Sequence, residues 1–182
     1  MKYLLYNPLS NNKRGEKIVN EAKAKIKGKT EVINLIGLDV KSFMSNLSSN
    51  DDVILVGGDG TLNHFINDIV LSDIHNEIYL YRAGTGNDFL NDIEAKEDFT
   101  LINKYLVNLP KVTVNGMTRY FINGIGYGID GYCTMEGDRA KAKSKKKINY
   151  TTIALKGLLF AYKRVNAIVN VDGVVNKYKN VW

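Results

Sequence analysis

The chain has 182 residues, 45% of them hydrophobic and 24% charged, with only two prolines. That is the balance of a globular protein with a sizeable core, and it excludes extensive disorder. No run approaches the roughly 18 to 20 apolar residues of a membrane-spanning helix. The N-terminus opens directly into Tyr3-Leu4-Leu5-Tyr6 without a cleavable signal pattern, so a cytoplasmic location is expected. One cysteine, Cys133, excludes an internal disulfide, and with His64 and His75 as the only histidines a multi-ligand zinc site has little to work with. The formal charge of +6 is concentrated in residues 139–147, from Arg139 to Lys147, where six of nine side chains are cationic.

From the N-terminus to about Pro110, short β-branched or aromatic runs alternate with segments of helical period, the pattern of a parallel sheet with crossover helices. Strands are predicted at 2–6, 31–34, 52–56 and 77–81. Between them, Ile18, Ala22 and Ile26 form one apolar stripe, and Leu62, Phe65, Ile66 and Ile69 form another. A third helical segment is predicted over 98–107, ending before Leu109-Pro110. Residues 111–116 and 119–123 then alternate as strands around Asn115-Gly116, and Gly124, Gly126, Gly128 and Gly131 mark a flexible or tightly turned stretch. The basic run 139–147 reads as a solvated loop able to meet anionic headgroups, and its lack of interleaved aromatics speaks against nucleic acid. Tyr150, Ile153, Ala154, Gly157, Leu158 and Ala161 trace a helix face, 167–171 is a strand, and Asp172-Gly173 is a hairpin turn. Residues 178–182 are strand-like without an obvious partner, which leaves room for a homodimer. The predicted architecture is an α/β chain: a three-layer α/β/α nucleotide-binding domain over 1–110, followed over 111–182 by part of a β-rich, sandwich-like domain carrying the basic loop and one helix.

The residues suited to chemistry sit where the predicted strands end. Val53-Ile-Leu-Val56 runs into Gly57-Gly58-Asp59-Gly60-Thr61 and then a helix, which puts a glycine turn at the carboxyl end of a buried strand, where open α/β sheets bind ligands. Glycines let backbone N–H groups approach phosphate closely, and the following helix N-terminus adds its positive end. Asp59 cannot attract phosphate, so its expected role is to orient a partner or fix the loop. A second turn containing Gly84 and Thr85 follows the 77–81 strand. A third, Asn7-Pro8-Leu9-Ser10, follows the first strand, with Lys13 and Arg14 near enough in sequence to balance phosphate charge.

Asn7-Pro8-x-Ser10, Gly57-Gly58-Asp59-Gly60-Thr61-Leu62-Asn63 and Gly84-Thr85-Gly86-Asn87-Asp88-Phe89 occur in this order. Together they resemble the catalytic domain of the diacylglycerol kinase family, which includes sphingosine kinases and bacterial lipid kinases. The resemblance continues more weakly through residues 120–130 and 150–157. It implies transfer of the γ-phosphate of ATP to a lipid hydroxyl such as that of diacylglycerol, with Mg²⁺, at the cytoplasmic side of a membrane. Asn7, Pro8, Ser10, the stretch Gly57 to Asn63, Gly84 and Thr85 would hold the nucleotide. Lys13, Asp88 and Lys156 match a structural charge network. The family's acidic metal-site and Asp-Gly-Glu segments lie farther along than this sequence reaches, so neither a catalytic base nor metal ligands are assigned, and activity of this length of chain is open. Two positions depart from the pattern: Asn11 stands where the family usually has glycine, and Ala83 where it commonly has proline. The glycine-aspartate turn is shared with NAD kinases and phosphofructokinases, so a kinase of a small molecule is one alternative. A non-catalytic relative that binds nucleotide or anionic membrane is another.

Overall fold

A computed structural model describes residues 1–69, 74–83, 87–143, 148–161 and 163–181. They fall into two compact units, Met1–Gly124 and Ile125–Trp182. The first is built on a five-stranded sheet of order β2-β1-β3-β4-β5, made of β1 (Lys2–Tyr6), β2 (Thr30–Asn34), β3 (Asp52–Gly57), β4 (Glu77–Arg82) and β5 (Phe99–Leu101). β2, β1, β3 and β4 run parallel, and β5 closes one edge antiparallel to β4. The four strands expected in this stretch are all present, each within one residue of its predicted ends.

Alternation along the strands sorts side chains onto two faces. Leu5, Val53 and Leu55 pack on one face with Val40 of α3 (Val40–Ser45) and with Leu62, Phe65 and Ile66 of α4 (Asp59–Asp68). Leu4, Ile54 and Val56 pack on the other with Val19 and Ala22 of α2 (Gly15–Ala24), which follows the single turn α1 (Ser10–Lys13). Because both faces are covered, β3 reads as an unbroken apolar run, as a central parallel strand must. Tyr3 meets the Phe43 ring edge-on, with centroids 5.4 Å apart.

One predicted element is corrected. The segment read as a helix over 98–107 divides into β5 and a short α6 (Asn103–Leu106). Phe99 lies against the Tyr81 ring, with centroids 5.0 Å apart, and Asn103 Oδ1 accepts the Ile78 N–H at 2.8 Å. Cross-strand pairing at the open edge of β4 thus outweighs a helical period. The hairpin of β6 (Lys111–Val114) and β7 (Met117–Tyr120) belongs to the first unit. Asn67 of α4 fastens it: its Nδ2 donates to Tyr120 O at 2.9 Å, and its Oδ1 accepts the Tyr120 N–H at 2.9 Å.

The second unit contains α7 (Ile129–Lys143), α8 (Tyr150–Lys156), a π-helical turn (Gly157–Ala161), and a hairpin of β8 (Val165–Val171) and β9 (Val174–Val181). Two expectations change here. The glycine-rich and basic stretch is helical from Ile129 to Lys143, where alanines alternate with cations and Arg139 pairs with Glu136 one turn before it. The rest of the basic run, 144–147, lies outside the described residues. The strand-like C-terminal segment also has a partner after all: β9 pairs with β8 across the Asp172-Gly173 turn, with Asp172 at φ 51° and Gly173 at φ 88°.

At the opposite end of β1 and β3, the Met1 ammonium donates to Asp51 at 2.6 Å. That bond holds the Asp51 carboxyl below its ordinary value, reinforced by the Ser48 N–H. A carboxyl lowered in the folded state stabilises the protein above its unfolded value and loses that contribution as pH falls through the folded one. The stability advantage of the native chain over Asp51→Asn should therefore be full between about pH 5 and pH 7 and shrink progressively as the pH falls below the ordinary carboxyl range of about 4, measured by urea unfolding.

Candidate functional site

The register of the parallel strands brings the sequence turns together. Tyr6 lies beside Val56, Val56 beside Tyr81, and Gly57 beside Arg82, so β1, β3 and β4 end in step at one edge of the sheet. Asn7, Gly58 and Ala83, which follow them, therefore stand at the same edge.

Each turn is shaped by its own residues. Asn7 Oδ1 accepts the Leu9 N–H at 2.9 Å and Asn7 O accepts the Ser10 N–H at 3.0 Å, folding Asn7-Pro8-Leu9-Ser10 into a tight bend. Gly15 at the start of α2 presses on this bend, and a Cβ there would strike Asn7 O. Asn11 takes a left-handed backbone at φ 49°, a conformation that asparagine is among the few non-glycine residues to tolerate. Its Nδ2 donates to Ala83 O at 3.4 Å, linking the first turn to the segment after β4.

Gly57 carries β3 into α4 with the Thr61 side chain lying directly over it, so that a Cβ at Gly57 would collide with Thr61. Gly58 caps α4 through its carbonyl, which accepts from Thr61 N–H at 2.9 Å and Leu62 N–H at 3.2 Å. The two amides before these, of Asp59 and Gly60, have no acceptor within their own helix, and the helix dipole places partial positive charge there.

Asp59 supplies the tie that sequence reasoning assigned only in outline. Its Oδ2 accepts the Asp88 N–H at 3.0 Å and its Oδ1 accepts the Phe89 N–H at 3.1 Å, capping α5 (Asp88–Asp92) from a different loop. The far end of α5 is held by Arg82, whose guanidinium donates to Asn91 Oδ1 at 3.1 Å and to Ala95 O. Arg82 and the Asn11 side chain were not legible as site-building residues, since each acts on a partner remote in sequence.

The other predicted residues divide. Leu62 is fully buried in the core, so only its backbone faces the turn, while Asn63 is half-buried and its carbonyl accepts from Asn67 at 2.8 Å. Thr61 is 7% exposed, and the Ser10 hydroxyl is shielded with no partner among the described residues. Gly84 and Thr85 lie outside the described residues. Lys13 and Asp88 are exposed in the first unit, and Lys156 is exposed in the second. Among the described residues there is no cluster of three or more His, Cys, Asp or Glu suited to a metal, and no helix long and apolar enough to cross a membrane.

Beside the first two turns opens a cavity of about 250 Å³. Asn7 and Thr61 form its wall toward the turns, Leu35, Val40 and Phe65 its apolar side, and His64 and Asp68 its polar rim.

Because both oxygens of Asp59 cap α5, Asp59→Ala should loosen that helix without unfolding the sheet. Hydrogen exchange of the Asp88 and Phe89 amides should accelerate by about tenfold or more, the scale of a lost hydrogen bond to a charged acceptor, while exchange of the β3 amides stays unchanged.

The diacylglycerol kinase catalytic domain matches this chain over residues 2–117. Over 87 residues the chain is 31% identical to the protein named putative lipid kinase SH2167 of Staphylococcus haemolyticus, a match covering 45% of this chain and 28% of that protein. Over 90 residues it is 30% identical to the protein named putative lipid kinase SERP0390 of Staphylococcus epidermidis, covering 46% of this chain and 29% of that one. The matched stretch thus spans less than a third of either relative. With more than half of its length matched by the family's domain, the chain belongs to the diacylglycerol kinase catalytic domain family.

Proposed function

We propose that the chain carries the nucleotide-binding part of an ATP-dependent lipid kinase, which transfers a phosphoryl group to a lipid hydroxyl such as that of diacylglycerol. The observation that carries this reading is the in-step ending of β1, β3 and β4, with their turns stitched together by Asn11 to Ala83 and by Asp59 to Asp88 and Phe89. Phosphoryl transfer is catalysed mostly by positioning and charge stabilisation, and such turns supply both.

The residues fit a polyphosphate. Gly57 has no room for a side chain because Thr61 lies over it, the space beside Gly60 in the first turn of α4 is open, and the Ser10 hydroxyl is a donor that the described residues leave unused. In this reading the first-turn amides of α4 and the hydroxyls of Ser10 and Thr61 bind the phosphates, and Asn7 and Pro8 set the bend that presents Ser10. Gly84 and Thr85 on the loop after β4 complete the set. Asp59 is a positioning residue, because both of its oxygens are engaged by amides. When bound, ATP supplies the transferable phosphoryl group and Mg²⁺ offsets its charge, held largely by the phosphates themselves.

Isothermal titration of the folded chain with ATP and Mg²⁺ is the direct test. A saturable heat with a midpoint in the micromolar to millimolar range supports the reading, and no heat at millimolar nucleotide removes it. Radiolabel passing from ATP into the organic extract would establish the lipid acceptor, whereas label in NADP would favour the small-molecule alternative.

A second reading concerns the membrane. Residues 125–182 contain eleven Lys and Arg against four Asp and Glu, a formal +7, while residues 1–124 carry fourteen against fifteen, a formal −1. The same unit exposes Leu159 and Phe160, at 71% and 86%, between Lys156 and Lys163. This combination favours peripheral contact with anionic lipid. Sedimentation with phosphatidylglycerol vesicles should capture the chain at low salt and lose most of it at about 0.5 M NaCl, where charge is strongly screened. Equal capture by neutral vesicles would remove this reading.

A further inference from the structure

The cavity beside the turns has a polarity that the phosphate reading does not use. Its inner wall, Asn7 and Thr61, belongs to the turns after β1 and β3, whereas its rim carries His64 and Asp68, four residues apart and therefore stacked on one face of α4. Along the helix axis Thr61 and Asp68 are separated by about 10 Å at 1.5 Å per residue. That is on the order of the reach from a nucleotide's phosphates to the far side of its sugar and base.

The two ends of α4 favour opposite ligand chemistries. Its N-terminus attracts anions, while the Asp68 carboxylate, in the last turn, repels phosphate and only accepts hydrogen bonds. A molecule lying along this cavity must therefore be anionic at the turns and a hydrogen-bond donor at the rim. Between these ends, buried Phe65 and half-buried Leu35 give the cavity an apolar side, the lining that an aromatic ring favours. At about 250 Å³ it has room for one moiety of a drug-sized ligand, with the charged tail outside.

We propose that this cavity takes the nucleoside end of the nucleotide, and that Asp68, beside His64, is the residue that selects a ribonucleoside by accepting hydrogen bonds from its ribose hydroxyls. The proposal rests on the nucleotide reading above and adds to it the specificity of that site. It also gives the β2–α3 connection, which contributes Leu35, a part in recognition that no glycine motif announces.

The experiment compares three probes by isothermal titration, each with Mg²⁺: ATP, 2′,3′-dideoxy-ATP and inorganic tripolyphosphate. The native chain and Asp68→Ala are used, with Asp68→Asn as a second variant and melting curves to show that each is folded. The native chain should bind ATP about tenfold more tightly than the dideoxy analogue, the scale of hydrogen bonds to a charged acceptor. In Asp68→Ala that ratio should fall to about twofold or less through weaker ATP binding, while tripolyphosphate affinity stays unchanged. Asp68→Asn should fall between the two. An ATP to dideoxy-ATP ratio that Asp68→Ala leaves unchanged overturns the proposal and spares the nucleotide reading. Equal losses for ATP and tripolyphosphate also overturn it, since Asp68 would then act on the turns and not on the sugar. Failure of the native chain to bind either ATP or tripolyphosphate removes both the reading and the inference built on it.

Discussion

Parallel pairing of β1, β3 and β4 without a stagger is the constraint on which the site depends. Were β3 slipped by one residue against β1, its apolar set would exchange faces, Leu55 would leave the α4 side, and Gly57 would no longer stand level with the bend after Tyr6. The two core layers therefore fix the site: Leu5 and Leu55 against Phe65 on one face, Leu4 and Val56 against Val19 on the other. Packing sets the register, and the register sets which turns meet.

Hydrogen bonds refine what packing brings near. A carboxylate beside an anion site would ordinarily weaken it, but Asp59 is turned toward the amides of Asp88 and Phe89 and its charge is spent on capping α5. The same residue that makes the glycine motif conspicuous in sequence thus joins two loops instead of touching ligand through its own oxygens. Asn11 does similar work with a neutral side chain, and its left-handed backbone shows that the bend is kept without a glycine there.

The first unit was legible because each of its signals is local. β3 announces itself by five successive buried residues ending in glycine, and α4 by a stripe from Leu62 to Ile69. What escaped is what depends on a distant partner. Residues 98–107 have a helical period, yet Phe99 is drawn onto Tyr81 at an open sheet edge that the sequence does not display. Arg82, which no motif marks, grips both Asn91 and Ala95. The basic stretch misled in the other direction: six cations suggested a self-repelling loop, but its first part, up to Lys143, continues a helix, in which alanine is the most favourable residue. Likewise Asp68 carried no motif, and only the cavity between α4 and the end of β2 brings it to notice.

The β8–β9 ribbon has a consequence for the behaviour of the protein in solution. Ile168 and Val169 are adjacent, as are Val174 and Val175, so apolar side chains emerge on both flat sides, and among the described residues no third strand flanks it. Such a surface is adhesive toward its own kind. Mutual repulsion between like-charged copies of the +7 unit opposes that adhesion, with a range of about 10 Å in 0.1 M salt and about 30 Å in 0.01 M. Dilute buffers therefore keep copies apart, and concentrated ones let the ribbons find each other.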